Sequence, residues 1–230
     1  MDEQLDLQYF DRLFDLLTEH KKSLFAQIVK QRTNHIAWLT DNLYHEQNSS
    51  AIVRTADCFG YNKVFILEDK YHYKVNKEIA MGAQKWVIHH TIHVEANRYT
   101  SAVQKIKDLG YRLIAASHHS KETTLENLDI SSPLCIALGS ERHGLHQDIM
   151  ESADGFVHIP MMGFTESLNV SVTAGILMYG LRKRLESEVT MWQLTPMEEK
   201  ETIFQWMLKT IPNASKMIQR WNEDESVRMQ

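Results

Sequence analysis

Cysteine is almost missing from this 230-residue chain: Cys58 and Cys135 alone occur, far apart and in no CxxC pair. A disulfide framework is therefore excluded as the source of stability, and a reducing compartment is expected. Glycine is sparse in pattern too. No two of the nine glycines stand two apart, so there is no GxGxxG dinucleotide fingerprint. "GSERHGLH" opens as GxxxxG, but Leu145 and His146 stand where a phosphate-cradling loop needs Lys and Ser or Thr. No GxSxG nucleophile elbow is present. Long apolar runs are also missing, since none reaches the ~18 residues of a membrane span. The opening "MDEQLDLQYF" has neither the positive charge nor the apolar core of a secretory leader, so a cytoplasmic protein is expected. Basic charge is in deficit, with 25 Lys and Arg against 30 Asp and Glu. RNA or DNA binding must then rest on local basic clusters rather than on the whole surface.

What is present reads as an α/β protein. Helical spacing runs from Leu5 to Gln31 through Tyr9, Leu13, Leu16 and Leu17 to Phe25, Ile28 and Val29. From Ile36 to Leu185 six short apolar runs alternate with helix-length segments: "HIAWLTD", "KVFILED", "WVIHHTIHV", "YRLIAAS", "PLCIALG" and "GFVHIPM". That alternation predicts a mostly parallel sheet covered on both faces. Helices are expected over 49–59, 78–84, 96–109, 145–153 and 167–185. Thr195 followed by Pro196, with Glu198 and Glu199 in the next turn, marks a further helix start, and Asn213 is a candidate cap for another. Trp192, Trp206 and Trp221 suggest that this last zone packs on the body. We divide the chain into a helical N-terminal extension (1–35), a sheet domain (36–187) and a helical C-terminal extension (188–230). Twelve histidines include His143 and His146 three apart, yet no His, Cys or carboxylate set has metal-ligand spacing, so no metal is expected.

Three stretches carry more polarity or glycine than structure alone requires. In "NLYHEQNSSAIVRTADCFGYNKVFIL", Asn48 precedes a helix-like run that holds Arg54 and ends at Gly60, a C′ glycine. In "LCIALGSERHGL" a strand ends at Gly139 and Glu141 follows at its carboxyl end, where α/β sheets bind ligands. In "IPMMGFTESLNVSVTAGILMYGL" four polar residues, Ser167, Asn169, Ser171 and Thr173, crowd a helix start that needs one cap. Beyond them lie Ala174, Gly175 and Gly180. Interior helix glycines cost about 1 kcal/mol each relative to alanine, so another backbone, such as that of a second subunit, is expected against that face.

Together the three stretches, in this order, resemble the three motifs of the SPOUT RNA methyltransferases. More narrowly they are similar to the TrmH-type 2′-O-ribose methyltransferases, over roughly residues 39–185. The nearest likeness is to tRNA enzymes acting on the D-loop guanosine at position 18. The resemblance implies a deep trefoil knot in the C-terminal part of the sheet, a bent S-adenosylmethionine bound there, and a homodimer with its site at the interface. Ser117, Leu138, Gly139, Ile159, Met161 and Leu168 would line the cofactor pocket. Arg54 would act on the attacking 2′-hydroxyl, as base or as charge stabiliser, and Asn48, Glu141, Ser167 and Asn169 would shape the site. For tRNA, the basic candidates are Lys21, Lys22, Lys30 and Arg32 before the core and Arg182, Lys183 and Arg184 after it. Ribosomal RNA, another tRNA position, and a catalytically silent RNA-binding homologue remain open as alternatives.

Overall fold

The helical pattern at the start of the chain breaks after Asp15. A short turn at Leu7–Tyr9 leads into α1 (Phe10–Asp15), and the Thr18 hydroxyl then caps α2 (Glu19–Val29) by accepting from the Lys21 amide at 3.3 Å. The computed structural model describes residues 7–43, 45–69, 73–94, 98–117, 123–140 and 143–228. By contact, residues up to Arg32 and from Leu194 onward form one compact unit and Thr33–Gln193 another.

In the second unit the apolar runs become six strands among the described residues: β1 (Ile36–Asp41), β2 (Lys63–Glu68), β3 (Ile88–His93), β4 (Arg112–Ala116), β5 (Leu134–Leu138) and β6 (Gly155–Val157). They pair in the order β3-β2-β1-β5-β4-β6, and every pairing is parallel. Between them run α3 (Glu46–Cys58), α4 (Lys77–Ala80), α5 (Tyr99–Asp108) and α6 (Gln147–Ser152), and α7 (Val170–Glu188) follows β6. Strand alternation sets the layers. Ile36, Trp38, Val64 and Ile66 point to one side and pack with Ile52, Val53 and Ala56 of α3 and with Ala174, Leu177, Met178 and Leu181 of α7. Ala37, Leu39, Phe65 and Leu67 point to the other side, under Tyr99, Ala102, Val103 and Ile106 of α5 and Ile149 of α6. Central β1 and β5 are buried throughout, as their unbroken apolar runs require.

Several boundaries differ from the sequence reading. Helix α3 starts at Glu46 rather than after Asn48, and His45 at its N-cap makes no side-chain cap bond. The acidic Glu46 in the first turn favours that earlier start through the helix dipole. Helix α7 starts later, because Asn169 and not Ser167 is the cap. Helix α5 begins at Tyr99, three residues inside its expected span, and β6 is only three residues long.

The first unit is completed by α8 (Pro196–Thr210) and α9 (Ala214–Arg228). The expected helix start is a full capping box, in which Thr195 and Glu198 serve each other's backbone amides. Asn213 sits left-handed, with φ of 59°, just before α9. The three tryptophans have different partners. Trp206 meets Phe25 edge-on at 5.3 Å and Trp221 meets Tyr9 at 5.4 Å, so both pair with the N-terminal helices, while Trp192 lies under Arg182. No helix among the described residues is long and apolar enough to cross a membrane.

One bond ties the two ends of the first core layer together. Tyr61, fully buried beside Trp38, donates its hydroxyl to the Met178 carbonyl of α7 at 2.8 Å. Burial pushes the Tyr61 hydroxyl pKa above its ordinary range, so it stays a donor. Tyr61→Phe is expected to cost about 1 kcal/mol, read as a lower urea midpoint at unchanged slope.

Candidate active site

Asn169 organises the third motif with both ends of one amide. Its Oδ1 accepts from the Ser171 amide at 2.8 Å and from the Ser171 hydroxyl at 2.6 Å, which starts α7. Its Nδ2 donates to Asn48 Oδ1 at 3.2 Å, in the first turn of α3. The two asparagines, 121 residues apart, thereby join the first and third motifs. Since Asn169 does the capping, Ser167 and Leu168 are left in the preceding loop.

That loop forms one wall of a cavity of about 470 Å³ at the carboxyl ends of β4, β5 and β6. All six residues expected to hold a cofactor line it: Ser117, Leu138, Gly139, Ile159, Met161 and Leu168, together with Ser167. The lining mixes apolar side chains such as Val157 and Leu177 with Ser140, His143, His158 and Thr173. Thr173 had no role in the sequence reading. Its helical spacing of three from Val170 and four from Leu177, both lining residues, is the signal that could have placed it there.

The second motif builds the opposite wall as a tight loop. The Ser140 and Gly144 backbones exchange hydrogen bonds at 3.0 and 2.9 Å, and the Ser140 hydroxyl accepts from the His143 amide at 3.3 Å. Gly139 is required here for space: a Cβ on it would run into the Gly144 and Leu145 backbone. Glu141 lies outside the described residues.

Arg54 is not among the cavity's lining residues. It sits exposed on α3, six residues along from Asn48, and its Nη1 donates to the Ile79 carbonyl at 3.3 Å. Six residues of helix correspond to a rise of roughly 9 Å and a net turn of about 240°, so Arg54 leaves α3 on a different side from the Asn48–Asn169 bond.

The basic candidates divide. Lys21 is exposed, Lys22 pairs with Glu19 at 2.9 Å, Lys30 with Glu199 at 2.6 Å, and exposed Lys183 stands 3.8 Å from Glu186. Surface pairs of this kind contribute little to stability. The three arginines have partners within the chain. Arg32 is only 3% exposed, with its guanidinium over the Trp206 ring. Arg182, 7% exposed, is held by Glu186 and the Trp192 ring. Arg184 donates to the Leu125 and Leu128 carbonyls and grips Glu188. A ring holds Arg32, a ring and a glutamate hold Arg182, and two carbonyls and a glutamate hold Arg184.

The SpoU rRNA Methylase family profile matches residues 35–179, which include every lining residue of the cavity. The chain belongs to this family. A relative from Borreliella burgdorferi, named tRNA (guanosine(18)-2′-O)-methyltransferase, is 30% identical over 204 residues, 87% of this chain and 90% of that one. The crystal structure of an A. aeolicus TrmH/SpoU tRNA modifying enzyme matches with a TM-score of 0.74 at 27% identity, covering 84% of this chain and 98% of that chain. The SpoU methyltransferase AviRb from Streptomyces viridochromogenes, solved with AdoMet, shares the fold at a TM-score of 0.54 and 18% identity, over 70% of this chain and 62% of that one.

The loop of the second family motif supplies a local test. Gly139→Ala is expected to speed hydrogen exchange at the Gly144 amide by about tenfold or more while leaving the β1 amides unchanged.

Proposed function

We propose that the protein transfers a methyl group from S-adenosylmethionine to a ribose 2′-hydroxyl in RNA, at guanosine 18 of the tRNA D-loop, in the cytoplasm. The observation that carries this is the convergence of residues from separate motifs on one cavity, with the Asn48–Asn169 pair tying the first motif to its rim. The names of the relatives that span most of the chain supply the address.

The cavity suits a nucleoside with an amino-acid tail. Its volume lies in the range of small-molecule sites, and apolar Leu138, Ile159 and Leu168 alternate with Ser117, Ser167 and Thr173 as partners for a base and its polar edges. Bound there, S-adenosylmethionine supplies a methyl already activated by its sulfonium. The chain has to align the hydroxyl and stabilise the charge that grows on its oxygen as the proton leaves. Arg54 serves as that cation: its guanidinium is exposed on α3, and an arginine side chain carries its charge in proteins. Asn48 and Asn169 orient the ribose, Ser167 faces it from the loop, and Glu141 takes part as the family resemblance implies. We assign the C-terminal sheet segment around the cavity to the trefoil knot of that family.

A second copy completes the site in this reading. Leu168, Val172, Ile176 and Tyr179 form an exposed apolar stripe at helical spacing, with Tyr179 56% exposed. Gly175 sits amid them with nothing within 4 Å, whereas Gly180 faces Leu125 of the same chain. A contiguous apolar stripe of this kind marks an interface, and Leu168 belongs both to it and to the cavity. Lys21, Lys22, Lys30 and Lys183 meet tRNA phosphates, and the acidic surplus lies elsewhere on the surface.

Purified protein given labelled S-adenosylmethionine and unmodified tRNA is expected to methylate one guanosine ribose, mapped by mass spectrometry. Arg54→Ala is expected to lower kcat by about a hundredfold or more, and a full rate would remove its assignment. Ile176→Asp is expected to halve the mass in light scattering and to cost at least about tenfold in activity, as loss of a buried interface does. Lys21→Glu with Lys22→Glu is expected to weaken tRNA binding and flatten its salt slope by about 1.5; an unchanged slope would rule out that patch.

A further inference from the structure

Asp41 ends the central strand β1, only 5% exposed, and plays no part in the chemistry described above. Its Oδ2 accepts from the His146 backbone amide at 2.8 Å. Its Oδ1 is buried and has no hydrogen-bond partner among the described residues. A buried carboxylate satisfied on one oxygen alone is costly for the fold. Burial pushes the Asp41 carboxyl above its ordinary range and nearby Asp69 adds to that, while the His146 amide bond opposes it. With a raised folded-state pKa, its contribution to stability is present below the ordinary carboxylate range and lost as pH rises through the folded value.

What this costly group holds is the return limb of the second-motif loop. His146 directly follows Leu145, and Gly139, Ser140, His143, Gly144 and Leu145 all line the cavity. His146 is also gripped elsewhere. Its ring stacks on Tyr99 at 3.8 Å and 8°, Tyr99 donates to Asp69 Oδ2 at 3.1 Å, and His146 Nδ1 accepts from the Asp148 amide at 3.2 Å to cap α6. Asp41 is the carboxylate at this clamp that touches the loop backbone, and a charge-assisted bond is the stronger kind for fixing it.

We infer that Asp41 is a positioning residue for the cofactor: through the His146 amide it fixes the second-motif loop in the shape that binds S-adenosylmethionine. This rests on the cavity being the S-adenosylmethionine site. A group that only stabilised the fold would lose stability and all activities together when replaced. Asp41 is expected to separate them.

The test is isothermal titration of S-adenosylmethionine into the full-length wild type, Asp41→Ala and Asp41→Asn, with steady-state kinetics and thermal unfolding at neutral pH. Asp41→Ala, which removes the acceptor, is expected to weaken S-adenosylmethionine binding by about tenfold or more and raise its KM in parallel. Its kcat at saturating S-adenosylmethionine and its tRNA Kd should stay within about twofold of wild type, since Asp41 touches neither the hydroxyl nor the RNA. Asp41→Asn keeps a neutral acceptor and sheds the buried charge. Binding about threefold weaker is expected, with a melting temperature equal to or above wild type. S-adenosylmethionine affinity within about twofold of wild type in the alanine variant overturns the inference. An equal loss in tRNA affinity overturns it too. If the alanine variant does not fold, the asparagine variant decides: wild-type affinity, or weaker binding with a lower melting temperature, counts against Asp41. A wild type that binds no S-adenosylmethionine instead brings down the functional reading beneath it.

Discussion

The site depends on one bifunctional amide. Asn169 must accept, to start α7, and must donate, to reach Asn48 on α3. Aspartate could cap the helix but could not donate, and serine is too short to serve both partners at these distances. From this one side chain the rest follows. The helix begins late, the loop before it stays free to wall the cavity, and the two helices of one sheet face are tied at the end where their motifs meet. The apolar layer behind them, from Trp38 and Tyr61 to Met178, fixes that end rigidly.

The opposite wall follows another logic. There a glycine with no room for a Cβ, a reciprocal Ser140–Gly144 pair and a buried carboxylate under His146 hold a short loop in one shape. Backbone geometry shapes this wall more than side-chain chemistry does. At Asp41 one carboxylate oxygen serves this loop while the other stays buried without a hydrogen-bond partner among the described residues.

Much of this was legible in the sequence. Central β1 and β5 were visible because strands buried on both faces read as apolar runs, and "TPMEE" announced α8 by its capping box. The cavity residues were named from motif resemblance and converge in space. The helix starts were less legible. His45 offers no cap bond for α3, and Ser167 and Asn169 competed as caps in a way that only three-dimensional geometry decides. The partners of the arginines were not legible, because local sequence does not reveal an aromatic ring partner: Arg32 meets Trp206 from far along the chain, and Arg182 meets Trp192. Asp41 was hidden at the end of an ordinary strand, since its partner is a backbone amide with no sequence signature.

The claim that this site methylates a ribose oxygen is tested most directly by removing that oxygen. A tRNA carrying 2′-deoxyguanosine at position 18, otherwise unchanged, should bind with the affinity of the normal transcript and accept no methyl group. Methyl incorporation at the normal rate into the deoxy-substituted tRNA would contradict the account.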